Sequence, residues 1–319
     1  MKQKTGGRRA FLKAAGITAL TAAGVVRAQE SRAQQAVPNS TGTEPAKTRA
    51  PANAADCHIH IYDARFQSAI PALPGALVQD YRLLQKRTGT SRVVIVTPRN
   101  YVVDNAVTVD AIRQFGANAR GVAVLRPGVT DAELKSLNDG GIRGIRFTVG
   151  NPKVAVVSID MIEPLAKRIA DFGWHVQLNM TREQIAENAD LLRRLPVPVV
   201  FDHLGSLKPP EGIEHPAYGV IRGLIDKGRA WVKLSGAYSN TVIGPPTYAD
   251  ATKVAQAYVK AAPERLVWGS DWPHPSEAEH KPNDAILFDL LAEWAPDAAT
   301  RNRILVANPE TLYGFSKNS

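Results

Sequence analysis

The chain of 319 residues holds one cysteine, Cys57, and three methionines. A single cysteine excludes any intrachain disulfide, so stability has to come from a buried core, and the chain is long enough to build a large one. Long apolar runs are also missing. The mildly apolar stretch near the N-terminus is diluted by Gly, Thr and Ala and falls short of the roughly 18 apolar residues a membrane span needs. Blocks of one charge are absent as well. The formal net charge is +9, but residues 1–28 hold six of the 39 basic residues and none of the 30 acidic ones, which leaves 33 against 30, or +3, for the remainder. So small a surplus, without basic runs, gives no footing for nucleic-acid binding. Cys57 lies in an apolar run between Asp56 and His58, which reads as a packed, inert thiol rather than a nucleophile.

The N-terminus has an order of its own. Lys2, Lys4 and Arg8-Arg9-Ala10-Phe11-Leu12-Lys13 precede the Ala/Gly/Thr/Leu/Val stretch and Val26-Arg27-Ala28. That is the layout of a cleavable twin-arginine signal over 1–28, which implies the twin-arginine export machinery as a partner, a periplasmic destination and no stable membrane anchor after cleavage. Residues 29–53 are rich in Gln, Ala, Pro, Ser, Thr and Asn and read as a disordered linker. From 54 to 319 the texture is uniform, as expected of one domain.

Within that domain eight short apolar runs alternate with amphipathic stretches. The runs are Cys57–Ile61, Arg92–Thr97, Gly121–Leu125, Ile142–Thr148, Trp174–Asn179, Val197–His203, Trp231–Ser235 and Leu266–Asp271. Between them, apolar spacings of three and four mark helices over Leu77–Lys86, Thr108–Phe115, Ile159–Phe172, Arg182–Leu195, Tyr218–Lys227 and Tyr248–Ala261. Strands joined by helices pair in parallel, and eight such units over about 265 residues predict a (β/α)₈ TIM barrel of the α/β class. An open doubly wound sheet would carry a glycine-rich phosphate turn after its first strand, where Tyr62-Asp63-Ala64-Arg65 stands instead.

In a barrel the residues that end the strands share one mouth. The first strand ends in His58-Ile59-His60, and a period of two puts both imidazoles on the lumen face, with Cys57, Ile59 and Ile61 toward the helices. The sixth ends in Asp202-His203 and the eighth in Ser270-Asp271. A buried carboxylate needs partners, and the three imidazoles supply them. Arg146 has lumen parity on the fourth strand and can pair a carboxylate. Arg143, Arg99, Asn100, Tyr101, Tyr238 and His274, with Tyr62, are further candidates for contact with a ligand.

His-x-His at the barrel's start, Asp202-His203-Leu204-Gly205 and Gly269-Ser270-Asp271-Trp272-Pro273-His274 resemble the amidohydrolase superfamily. Thr97-Pro98-Arg99-Asn100-Tyr101, Gly141-Ile142-Arg143-Gly144-Ile145-Arg146-Phe147 and Val232-Lys233-Leu234-Ser235-Gly236 resemble its branch of pyrone dicarboxylate and sugar lactonases. The resemblance implies a lactone hydrolase in which Asp271 is the general base and His58, His60 and His203 polarise the carbonyl, acting on a small carboxylate or lactone. Members with two metals use a modified lysine on strand four and a histidine on strand five. Arg146-Phe147-Thr148 and Gln177/Asn179 stand in those places, with His175 deeper and read as packing, so no binuclear site is expected. The lactonase branch implies a site without a metal; the alternative is one Zn²⁺ on His58, His60, His203 and Asp271. Other readings of the same groups are a metal-dependent decarboxylase, a lactone isomerase and a non-catalytic periplasmic binding protein.

Overall fold

The computed structural model describes residues 35–69, 75–277 and 279–317, so the signal expected over 1–28 lies outside the described residues. The strands are β1 (Ala55–Ile59), β2 (Arg92–Val96), β3 (Ala119–Ala123), β4 (Ile142–Thr148), β5 (His175–Asn179), β6 (Val199–Phe201), β7 (Ala230–Leu234) and β8 (Leu266–Trp268). They form one sheet in chain order, each parallel to the next. Just past β8, Asp271 N donates to His58 O and His60 N to Trp272 O, both at 2.8 Å, which ties the last strand to the first. The (β/α)₈ barrel is the architecture the alternation predicts.

Around it run α1 (Val78–Thr88), α2 (Ala106–Phe115), α3 (Asp131–Asp139), α4 (Ile162–Ile169), α5 (Arg182–Glu187), α6 (Ala189–Arg194), α7 (Pro216–Asp226), α8 (Ala249–Ala261), α9 (Asp284–Trp294), α10 (Ala298–Asn302) and α11 (Asn308–Tyr313). Apolar spacing does not announce α3, in which only Leu134 is buried. Its start is set instead by a capping box between Thr130 and Glu133. The stretch 182–195, read as one helix, is two: Asn188 Nδ2 turns back on Gln184 O at 2.8 Å and breaks the run into α5 and α6.

The lumen is filled by Val94, Val96, Val122, Val200, Trp231 and Val267 and closed by Tyr313 and Phe315. Cys57 belongs to this interior layer, not to the helix-facing side expected of it. The register of β1 on β2 shifts between Asp56 and Ile59, and a residue added in such an irregularity breaks strict alternation. Because of it, Cys57 and the two histidines all turn inward while Asp56 faces α1, accepting from the Tyr81 hydroxyl at 3.0 Å.

The segment expected to be a disordered linker is described from residue 35, and from there to 53 it is irregular but docked. Arg87 on α1 donates to Ser40 Oγ, Thr41 O and Glu44 O at 2.8–3.1 Å. Lys47 N and Thr48 N donate to the Asp289 carboxylate, and Trp272 Nε1 donates to Pro38 O at 2.7 Å. Polar composition hides this order, because the anchoring runs through backbone groups and only Val37 is buried as an apolar side chain.

Candidate active site

β1 carries His58 into the mouth, and His60 follows just beyond its end. His60 Nδ1 lies 2.8 Å from Val96 O, a carbonyl that can only accept, so Nδ1 is the donor there and Nε2 is turned toward the mouth. His58 Nε2 is 3.3 Å from that atom. Asp271 Oδ1 completes a triangle at 3.4 Å from His58 Nε2 and 3.5 Å from His60 Nε2. That oxygen is buried and accepts no hydrogen bond among the described residues. The other oxygen, Oδ2, accepts from the Tyr238 hydroxyl at 2.5 Å and lies 3.9 Å from His203 Nε2. Asp271 sits at φ 65°, a conformation uncommon for a residue with a side chain and concentrated at functional sites.

His203 opens a left-handed turn after β6, with φ 48°. Its Nδ1 is 2.9 Å from Ser235 Oγ, and its ring tilts over His58 with centroids 4.8 Å apart. This approach requires Gly236, at φ +64°: a Cβ there would meet the His203 Cβ and Nδ1 at 2.9 Å.

Beneath the imidazoles lies a charged layer. The fully buried Lys233 of β7 donates from Nζ to Cys57 O and Gln177 Oε1, each at 2.8 Å, and lies 3.2 Å from His58 Nδ1. Asp202 Oδ1 is 3.7 Å from Lys233 Nζ and 3.2 Å from His58 Nδ1. Its Oδ2 accepts from Arg146 Nε at 2.9 Å and Gln177 Nε2 at 3.1 Å. Two cations thus face two carboxylates, Asp202 and Asp271, and buried charges persist only when paired in this way. Burial alone would raise the Asp202 carboxyl, but His58, Arg146 and Lys233 hold it well below the usual range. Burial opposes Asp271 in the same way, and His203, His60 and His58 outweigh it, so this carboxyl also stays ionised. Burial draws Lys233 down to about 8 against the pull of Asp202. Burial lowers His203 too, and lowers His58 with Lys233 adding to the effect.

The group opens onto a cavity of about 480 Å³ lined by His60, His203 and Asp271, with Arg146, Arg99 and Asn100 along its wall. Tyr62 lines it as well. Four of the residues expected to touch a ligand do not line it. Arg143 is near the start of β4, and its guanidinium is spent on Asn138 O and Ile142 O at the opposite end of the barrel. Tyr101 is buried behind Tyr62, with its hydroxyl accepting from Asp63 N. His274 is buried 3.1 Å from Asp284, edge-on to Tyr238. Tyr238 reaches the site through Asp271 instead. Lys233 and Asp202 were not among the expected site residues; lumen parity could have found Lys233, and Asp202 is next to His203.

The three atoms His58 Nε2, His60 Nε2 and Asp271 Oδ1 fit one divalent cation, since bonds of about 2.0–2.1 Å to tetrahedral zinc place ligand atoms about 3.3 Å apart. His203 does not join that triad; it groups with His58 and Asp202 instead.

Comparison with known proteins meets this geometry. The Amidohydrolase family pattern matches residues 55–315. The chain belongs to the amidohydrolase family. This amidohydrolase is 32% identical to the 2-pyrone-4,6-dicarbaxylate hydrolase of Comamonas testosteroni over 278 residues, 82% of this chain and 90% of the other. It is 32% identical to the 4-sulfomuconolactone hydrolase of Rhizobium radiobacter over 83% and 91% of the two chains. It is also 30% identical to the D-galactarolactone isomerase of Agrobacterium fabrum over 83% and 92%. An apo crystal structure from Agrobacterium tumefaciens superposes with a TM-score of 0.80 at 29% identity, over 88% of this chain and 99% of that one.

Proposed function

We propose that this amidohydrolase opens a carboxylated lactone by water attack. The observation that carries the reading is a carboxylate, Asp271, held against three imidazoles at a cavity whose wall bears Arg146 and Arg99. Two relatives at 32% identity are hydrolases of lactones bearing acidic groups, which supports the same class here.

Arg146 commits Nε to Asp202, and its other nitrogens receive the substrate carboxylate, with Arg99 beside it. Asp271 takes a proton from water as the water oxygen bonds to the lactone carbonyl carbon. With the Ser235 hydroxyl donated to Nδ1, His203 carries its proton on Nε2 and directs it at the oxygen that becomes negative. The bond from that carbon to the ring oxygen then breaks, and Asp271 returns its proton to the leaving oxygen, giving the open hydroxy acid. His58, His60 and Asp271 would hold a divalent cation; such an ion lowers the pKa of bound water and polarises a carbonyl.

A second reading rests on the relative named as an isomerase: a substrate hydroxyl takes the place of water, and a new lactone ring forms. Acid release measured by pH-stat over carboxylated and neutral lactones tests the proposal. Hydrolysis of carboxylated members supports it; lactones rearranged or bound without acid release contradict it. Export by the twin-arginine route, resting on residues 1–28, belongs to the proposal and places the substrate in the periplasm.

A further inference from the structure

The catalytic cavity does not end at Arg146. It shares Thr148, Asn179, Ser206, Lys208 and Ser276 with a second chamber of about 750 Å³ that continues toward Gly150, Asn151 and Thr181. A cavity of about 480 Å³ already falls within the roughly 300–1,000 Å³ that holds one small ligand. The chamber therefore has room for a second ring beyond the lactone.

Its chemistry differs from that of the catalytic end. Amides and hydroxyls, Asn151, Asn179, Thr148, Thr181 and Ser206, share the lining with Lys208, Met180 and Pro209. At its edge Arg182 pairs with Glu183 at 2.8 Å and with Glu211 at 2.7 Å. Amide and hydroxyl donors and acceptors, with Lys208 as a further donor and Met180 and Pro209 as apolar surface, match a ring that carries hydroxyl groups.

We infer that this enzyme's substrate is a lactone carrying a polyhydroxylated substituent, a glycosyl group or its equivalent, with the lactone in the catalytic cavity and the substituent in the second chamber. The inference rests on the proposed function for the placement of the carboxylate on Arg146. Gly150 supplies a means of closing the chamber: a Cβ there meets Thr181 Cγ2 at 3.7 Å, ordinary contact, so a side chain can be added without crowding the backbone.

Calorimetric titration of the full chain with gluconate and with lactobionate, the same acid bearing a galactosyl ring, tests this. Lactobionate binds about tenfold more tightly or better. In Gly150→Phe that advantage falls to about twofold or less while gluconate affinity and lactone hydrolysis hold. Asn151→Trp, at an exposed position on the same chamber, repeats the test if Gly150→Phe lowers thermal stability. Equal binding of the two acids, binding of neither, or an advantage that survives both fillings overturns the inference. Failure of the lactone reading shows separately, as no acid release from any carboxylated lactone.

Discussion

The Tyr238 hydroxyl donates to Oδ2 of Asp271 at 2.5 Å, while Oδ1 of the same carboxylate faces two imidazole nitrogens and accepts no hydrogen bond among the described residues. One oxygen is held and the other is left for chemistry. Tyr238→Phe removes the donor to the charged form, which raises the Asp271 carboxyl relative to the parent. Turnover falls about tenfold, as expected for loss of a hydrogen bond to a charged group, and the acid limb of the rate profile moves to higher pH. A kcat profile from pH 3 upward checks both; an unmoved limb contradicts the role.

Lys233 ties β1 to β5 through Cys57 O and Gln177, and borders His58. Burial lowers its ammonium from 10.5 to about 8, so the cation is present below pH 8 and lost as pH rises through it. Activity therefore declines above pH 8. The stability term from this group runs the other way: between 8 and 10.5 the unfolded chain binds the proton that the folded chain has released, so stability rises with pH there. Lys233→Met lowers kcat by about 10- to 100-fold and abolishes the alkaline limb. A limb that persists in the variant assigns it to another group.

Arg146 joins the charged layer to the cavity wall. Arg146→Met raises KM for carboxylated lactones by about ten- to hundredfold, the worth of a charge-assisted pair, and leaves neutral lactones little changed. Equal losses for both classes would make Arg146 a support for Asp202 and nothing more.

The triad of His58, His60 and Asp271 predicts capacity for one zinc ion per chain. Metal analysis after dialysis against zinc checks it, with His60→Ala expected to lose the bound ion and His175→Ala to keep it. Retention of zinc by the His60 variant contradicts the assignment.

Much of this site was legible in the sequence because strand ends are chemically loud. His58, His60, His203 and Asp271 each terminate an apolar run, and parallel pairing brings such ends together whatever their separation along the chain. The quieter parts were hidden for physical reasons. Lys233 lies inside an otherwise apolar strand, and its counter-charge, Asp202, and its acceptor, Gln177, come from elsewhere in the barrel. The register shift in β1 defeats the period of two and turns Cys57 inward. Arg143 and Arg146 are three residues apart, so the pleat turns them to opposite faces, and Arg143 lies one residue from the start of β4 while Arg146 lies two from its end. The docking of residues 35–53 depends on Arg87 and Asp289, which composition within the segment cannot reveal.

The most direct test of the account follows heavy oxygen from water into product. A carboxylated lactone incubated with the protein in heavy-oxygen water is predicted to give the open hydroxy acid with one labelled oxygen in the new carboxylate. Asp271→Asn should keep its fold and lose turnover by about 10²- to 10⁴-fold. An unlabelled isomeric lactone, release of carbon dioxide, or normal turnover by the Asp271→Asn protein would contradict it.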